Sequence, residues 1–223
     1  MTALLEQDPQ VTVRALTKTE KVMSRAMQTA WSAPMFDIVV EIDMQHALDQ
    51  RRPGVTVTDV ILDACAQTLI RFPAMNALYR DDAVYQYAVA NVGLAVASPR
   101  GLTVPVIHGT DSLSIEGIAE RRRALVERVR AGSITVAEVI GGTFTVSNLG
   151  MFDVKQFTAI INPPQVAILA VGSTRMCNVW NDGAPEWRQI SEFTLTCDHR
   201  AVDGALAARF MGELKTRLEG RPV

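Results

Sequence analysis

Near the C-terminus, "TCDHRAVDG" (residues 196–204) sets His199, one of only three histidines, between two aspartates and ahead of a glycine. A neutral imidazole is a competent general base, because imidazole titrates at about pH 6.5, close to working pH. Its easiest client is a thiol, whose reference pKa of about 8.5 leaves a modest gap to cross. Asp203 stands before a glycine where a helix should begin, so it suits an N-cap as well as a pair with an arginine that braces the loop. Neither role makes it a proton carrier. Strand alternation points Asp198 away from His199, and a structural task is expected of it.

A base alone does little for acyl transfer, since the tetrahedral intermediate needs a hydrogen-bond donor for its oxyanion. "FTVSNLG" offers Ser147 where a strand runs into a turn, although serine is also an ordinary turn former. GxSxG spacing is absent, which disfavours a hydrolase-type serine nucleophile. GxxxxGK[ST] and GxGxxG are absent too, so phosphate cradles of those kinds are not expected. Cys65, Cys177 and Cys197 lack CxxC spacing and read as reduced packing thiols. His46, His108 and His199 show no paired ligand spacing, and no metal is expected.

These residues need a scaffold. "LTKTEKVMSRAMQTAW" reads as a helix: Thr17 and Glu20 have capping-box spacing, and Val22, Met23, Ala26 and Met27 form an apolar stripe. "MFDIVVEI" reads as a strand, followed by a short helix from near Asp43 that "RRPG" ends. "TDVILDACAQTLIRF" is a second helix, stopped by Pro73. "AVYQYAVANVGLAVAS" looks like two strands or one bent strand, and "GLTVPVIH" like another, with Pro105 marking an edge or bulge. "LSIEGIAERRRALVERVRAG" is a long helix whose "RRR" reads as a solvated face. Thr135 and Glu138 repeat the capping-box spacing. "GTFTVSNLG", the apolar run "PPQVAILAVG" and the alternating "EFTLTCDHR" are strands, and "DGALAARFMGELKTRLEG" closes the chain as a helix.

Interleaved strands and helices predict an α/β fold, a mixed β-sheet covered by helices. With 223 residues, 48% of them hydrophobic, the chain can bury one sizeable core: a polar leader (1–10) and a single domain (11–223) are expected. A net charge of −2 argues against a nucleic-acid surface. No apolar run reaches membrane-spanning length, and "MTALLEQDPQ" has no secretory h-region, so a cytoplasmic location is expected.

Taken together, "GGTFTVSNLGMFDVKQFTAIINPPQVAILAVG" and "LTCDHRAVDGALAARFMGELKTRLE" resemble the catalytic domain of the 2-oxoacid dehydrogenase acyltransferases. "KVMSRAM", "FPAMNALY" and "VANVGLAVASPRGLTVPVI" add weaker echoes, so the resemblance runs from about residue 11 to 220. It implies the chloramphenicol acetyltransferase-like fold and transfer of an acyl group, acetyl in first place, between dihydrolipoamide and coenzyme A. His199 would be the base for the attacking thiol and Ser147 the oxyanion donor. Asp203 would order the loop, with Arg25 in the first helix as its partner, and Asn162 in "IINPP" would stand near the site. The resemblance further implies a homotrimer with active sites between subunits, His199 of one chain meeting Ser147 of the next. Decarboxylase and dihydrolipoamide dehydrogenase subunits would be its partners.

A lipoyl domain and a peripheral subunit-binding domain, usual in such proteins, are absent from this sequence, so the lipoyl arm is expected in trans or from a domain outside it. The end "LEGRPV" has little hydrophobic tail, which leads to the expectation that assembly stops at the trimer or is weakly held beyond it. Met35 stands where a more polar residue is usual, and His108 where a basic one is common; either could tune substrate access. Two other readings remain: a structural trimeric core that organises partner enzymes, and a coenzyme A-dependent acetyltransferase with another small acceptor.

Overall fold

The computed structural model describes residues 10–98, 101–181 and 183–222. Helix α1 (Lys18–Trp31) opens the described fold on the expected capping box: the Glu20 amide donates to Thr17 Oγ1, and the Thr17 amide donates to the Glu20 carboxylate. Hydrogen bonds from Arg14, with the Thr17 amide, hold that carboxyl down to about 2. Strand β1 (Met35–Asp43) follows, then the short α2 (Gln45–Asp49) and α3 (Val57–Arg71). Helix α3 starts on a capping box of Thr56 and Asp59 that the sequence reading passed over.

The middle of the chain is more broken than expected. "AVYQYAVANVGLAVAS" becomes three strands, β3 (Ala83–Gln86), β4 (Val92–Leu94) and β5 (Val96–Ser98), each in a different sheet. β3 pairs with β2 (Ala77–Arg80), which was not expected, and β5 pairs with β6 (Gly101–Thr103). "GLTVPVIH" divides at Val104–Pro105 into β6 and β7 (Val106–Ile107), because proline cannot donate to a ladder. Helix α4 (Ile115–Ala131) ends on Gly132 in the left-handed region, φ +69°. The Thr135–Glu138 box forms, but it opens only the three-residue 3₁₀ turn Val136–Glu138.

The main sheet has seven strands in the order β1-β11-β9-β8-β4-β7, with β10 pairing on β11. Its members β8 (Phe144–Asn148), β9 (Ala167–Val171), β10 (Arg175–Asn181) and β11 (Ala184–Asp198) precede the last helix, α5 (Gly204–Leu218). β4, β8 and β9 run parallel and the remaining pairs antiparallel, so the sheet is mixed. The β10–β11 hairpin is a second element the sequence reading missed. Its exposed Trp180 and Trp187 hide the usual alternation, although "NDG" at its tip is a hairpin signal.

Period-two alternation sorts the sheet's faces. Phe144 and Val146, Leu169 and Val171, and Phe193, Leu195 and Cys197 join the main core with α3, α4 and α5. Burying a phenylalanine such as Phe193 or Phe210 completely contributes about 2–3 kcal/mol each. On the opposite face Ile168 and Ala170 pack with Ala159 and Ile161 in a smaller cluster that Met35 and Phe157 flank. That second face explains why β9 reads as a continuous apolar run. It is also the face that carries Thr145 and Ser147.

Candidate functional site

His199 follows directly on β11, at the first residue of a turn fixed at both ends. The amides of Ala201 and Val202 donate to the Asp198 carbonyl, and the His199 amide donates to the Pro34 carbonyl at 2.9 Å. Asp198 is buried, and its carboxylate takes the Arg200 guanidinium at 2.6–3.1 Å and the Arg200 amide at 3.0 Å. Arg200 in turn lies 4.2 Å over the Tyr79 ring, a cation–π contact that ties the turn to β2. At the far end Asp203 caps α5, accepting from the Leu206 amide at 2.7 Å. The imidazole itself is exposed, with its ring centroid 4.8 Å from that of Phe36. Asp198 therefore points inward and His199 outward, as strand period demands.

Phe36, Arg200 and Tyr79 were not singled out from the sequence. Phe36 reaches the imidazole because β1 pairs with β11 in the register Phe36↔Cys197 and Met35↔Asp198, which no local pattern reveals. Among the described residues Arg25 forms no ion pair with Asp203: it lies exposed on α1, while Asp203 is engaged as a cap. The structure thus brings Asp198 and Asp203 to the histidine turn and leaves Arg25 apart.

Ser147 lies half-buried near the end of β8, opposite Ala170 of β9. The turn after it is shaped by Asn148, whose side chain accepts from the Gly150 amide at 2.8 Å and donates to Thr58 Oγ1 at 3.2 Å. Room is tight here: a Cβ on Gly172 would fall 2.0 Å from the Lys155 carbonyl oxygen, so only glycine lets the 153–155 segment close over the end of β9. Ser147 faces a cavity of about 430 Å³. Asn162, expected near the site, lines the same cavity, and so do Met23 and Met27 of α1, Phe157 and Ile160. Ser147 and Asn162 are brought together; His199 is not among the residues of that cavity.

The register gives the separation. Ser147, Ala170 and Thr194 lie in one row across β8, β9 and β11, and His199 is five residues beyond Thr194. At about 3.3 Å per residue and about 4.8 Å per strand, the histidine and the serine are about 19 Å apart. No side-chain rotation within one chain closes that gap. Cys65 and Cys197 offer no alternative nucleophile: burial, then Asp37 and Asp198, pushes the Cys197 thiol up to about 12, and burial pushes the Cys65 thiol up as well. No group of three or more possible metal ligands occurs among the described residues, and no described helix is long and apolar enough to cross a membrane.

The mixed sheet with helices packed on it is a fold shared with chloramphenicol acetyltransferase, whose solved structure matches at a TM-score of 0.59 with 14% identity, over 92% of this chain and all of that one. More specifically, the sequence matches the family described as 2-oxoacid dehydrogenases acyltransferase (catalytic domain) over residues 8–222, and the chain belongs to that family. The dihydrolipoyllysine-residue acetyltransferase component of the mitochondrial pyruvate dehydrogenase complex of Schizosaccharomyces pombe is 38% identical over 89% of this chain and 44% of its own length. The Rickettsia bellii counterpart is 33% identical over 89% of this chain and 50% of its own. The chain thus spans about half the length of these curated relatives.

Among solved structures, the Azotobacter vinelandii dihydrolipoamide acetyltransferase matches at a TM-score of 0.91 with 30% identity, over 94% of this chain and 92% of that one. The cubic core of a pyruvate dehydrogenase multienzyme complex matches at 0.90 with 29% identity, over the same shares. The latter likeness lends no support to the expectation that assembly ends at the trimer.

Proposed function

We propose that the chain is an acyltransferase that moves an acyl group, acetyl in first place, between dihydrolipoamide and coenzyme A. One observation carries this reading. The crystallographic and enzymatic study of the Azotobacter vinelandii relative concerns a serine, a histidine and an asparagine in its catalytic mechanism, and their numbering spaces them 52 and four residues apart. Ser147, His199 and Asp203 have the same two spacings on the same fold, with aspartate in the third place.

The chemistry follows from these groups. His199 takes the proton of the attacking thiol, and the sulfur adds to the thioester carbonyl carbon. The Ser147 hydroxyl donates to the oxyanion that forms, in place of water that would otherwise have to reorganise. The intermediate then collapses, the leaving sulfur departs, and the imidazolium returns the proton to it. Thiol and thioester are regenerated, so the exchange needs no oxidant and no metal. Asp198 and Asp203 hold the turn and do not touch the reacting atoms.

The separation of about 19 Å that strand register implies gives this function its quaternary requirement: His199 of one chain works with Ser147 of another, as in a trimer with its sites between subunits. The Asp203 pairing with Arg25, which is not made within one chain, would then run between neighbours. The lipoyl arm is a substrate carried by another domain or protein, with decarboxylase and dihydrolipoamide dehydrogenase subunits as partners. A cytoplasmic location belongs to the same proposal; the relatives named above include a mitochondrial and a bacterial protein.

The direct test is thioester formation from acetyl-CoA and free dihydrolipoamide, with His199→Ala beside the wild type. The expected loss is about 10²–10⁴-fold. A folded, trimeric wild type that forms no thioester from acetyl, succinyl or branched acyl donors would instead make the chain a structural core.

A further inference from the structure

The cavity at Ser147 has a chemical division of labour that the acyltransferase reading leaves unused. If the Ser147 hydroxyl holds the thioester oxygen, the acyl chain starts on the same carbon, within about 4 Å of that hydroxyl by ordinary hydrogen-bond and covalent lengths. The cavity that Ser147 lines is largely apolar, which suits the acyl chain better than the polar carrier arm of the sulfur on the same carbon. Thr145 and Ser147 enter this space from β8, and Ala95 and Ala159 also border it, so these positions supply little bulk. The bulk comes from Met23 and Met27 of α1 together with Leu102, Val104, Phe157 and Ile160.

We propose that Met23 and Met27 of α1 set the largest acyl group the protein transfers, a role that rests on the acyltransferase reading and narrows it. The two methionines are four residues apart, one turn of α1, and Ala26 between them also faces the cavity, so their side chains form one continuous wall. Both are only half-buried, which leaves their unbranched chains free to change rotamer around a ligand. Phe157, which also lines the cavity, is more constrained, since it flanks the small core cluster formed by Ala159, Ile161, Ile168 and Ala170. Acyl size is thus limited by side chains on a helix that belongs to neither the sheet nor the histidine turn.

The experiment compares kcat/KM for acetyl-CoA and isovaleryl-CoA, with free dihydrolipoamide as acceptor, in the wild type, Met23→Ala, Met27→Ala and Met27→Phe. Shortening either methionine should raise the isovaleryl-to-acetyl ratio about tenfold or more, because one methylene of pocket space discriminates by roughly 10–200-fold. Met27→Phe should lower the ratio, and it supplies the answer in the opposite sense if an alanine variant does not fold. A ratio that stays within about twofold of wild type in folded variants that still transfer acetyl overturns the methionine wall and leaves the acyltransferase reading intact. No transfer from either donor by the wild type removes that reading, and this proposal with it.

Discussion

Asp203 has two separable jobs: its carboxylate accepts the Leu206 amide, and its charge stands beside the base's turn. Removing the cap with Asp203→Ala should cost about 1 kcal/mol in chemical denaturation. Asparagine caps as well as aspartate, so Asp203→Asn should keep stability within a few tenths of a kcal/mol. It should also keep acyl transfer within about tenfold, because the side chain acts by shaping the turn and carries no proton. A larger loss of transfer with unchanged stability would instead assign the charge itself a role, such as a pair with Arg25 of a neighbour. At this scale the sequence was legible where chemistry is local. The inward turn of Asp198 and the cap at Asp203 follow from strand period and helix-start chemistry, whereas Ser147 was singled out with His199 only through the family resemblance. Phe36 against His199, and Arg200 over Tyr79, depend on which strands pair and in what register, and nothing in either local segment records that.

The arginine run of α4 shows what an element's sequence hides. "RRR" reads as a solvated face, yet each arginine is bound to a different part of the fold. Arg121 donates to the His108 carbonyl, Arg122 to the Asp59 carboxylate and Arg123 to the Gly54 carbonyl. The middle pair is the costly one to break. The Asp59 side chain is fully buried and also accepts from the Thr56 amide and hydroxyl, so it joins the N-cap of α3 to α4. Arg122→Ala leaves that carboxylate without its cation and should destabilise the protein by about 3 kcal/mol in denaturant unfolding. A change below about 1 kcal/mol would mean the pair behaves as a surface bridge. Helices here were readable because capping boxes and apolar stripes are local signals. Of the short strands, β2 went unread and β3 to β7 were anticipated only as fewer, longer strands, since two to four residues carry too little alternation to show where one ends. The β10–β11 hairpin escaped because both its faces are largely solvated.

On the scale of the whole molecule, strand register puts His199 and Ser147, the two groups proposed for thiol exchange, about 19 Å apart on one chain. β11 carries the proposed base at one end of the sheet, and β8 carries the proposed donor two strands away. The chain's membership of the 2-oxoacid dehydrogenase acyltransferase family and the shared spacing of Ser147, His199 and Asp203 give that distance a purpose. The sequence could state the residues but not the distance, which arises only from the strand order β8-β9-β11. Mixed assembly measures the claim directly. Ser147→Ala and His199→Ala chains, each inactive alone, should be produced together in equal amounts and assayed with acetyl-CoA and dihydrolipoamide. If each site takes its histidine from one chain and its serine from the next, random assembly restores about a quarter of the wild-type sites, and the mixture regains about that fraction of the activity. Activity no higher than that of the separate variants, in mixed oligomers shown to contain both chains, would contradict a site built between subunits.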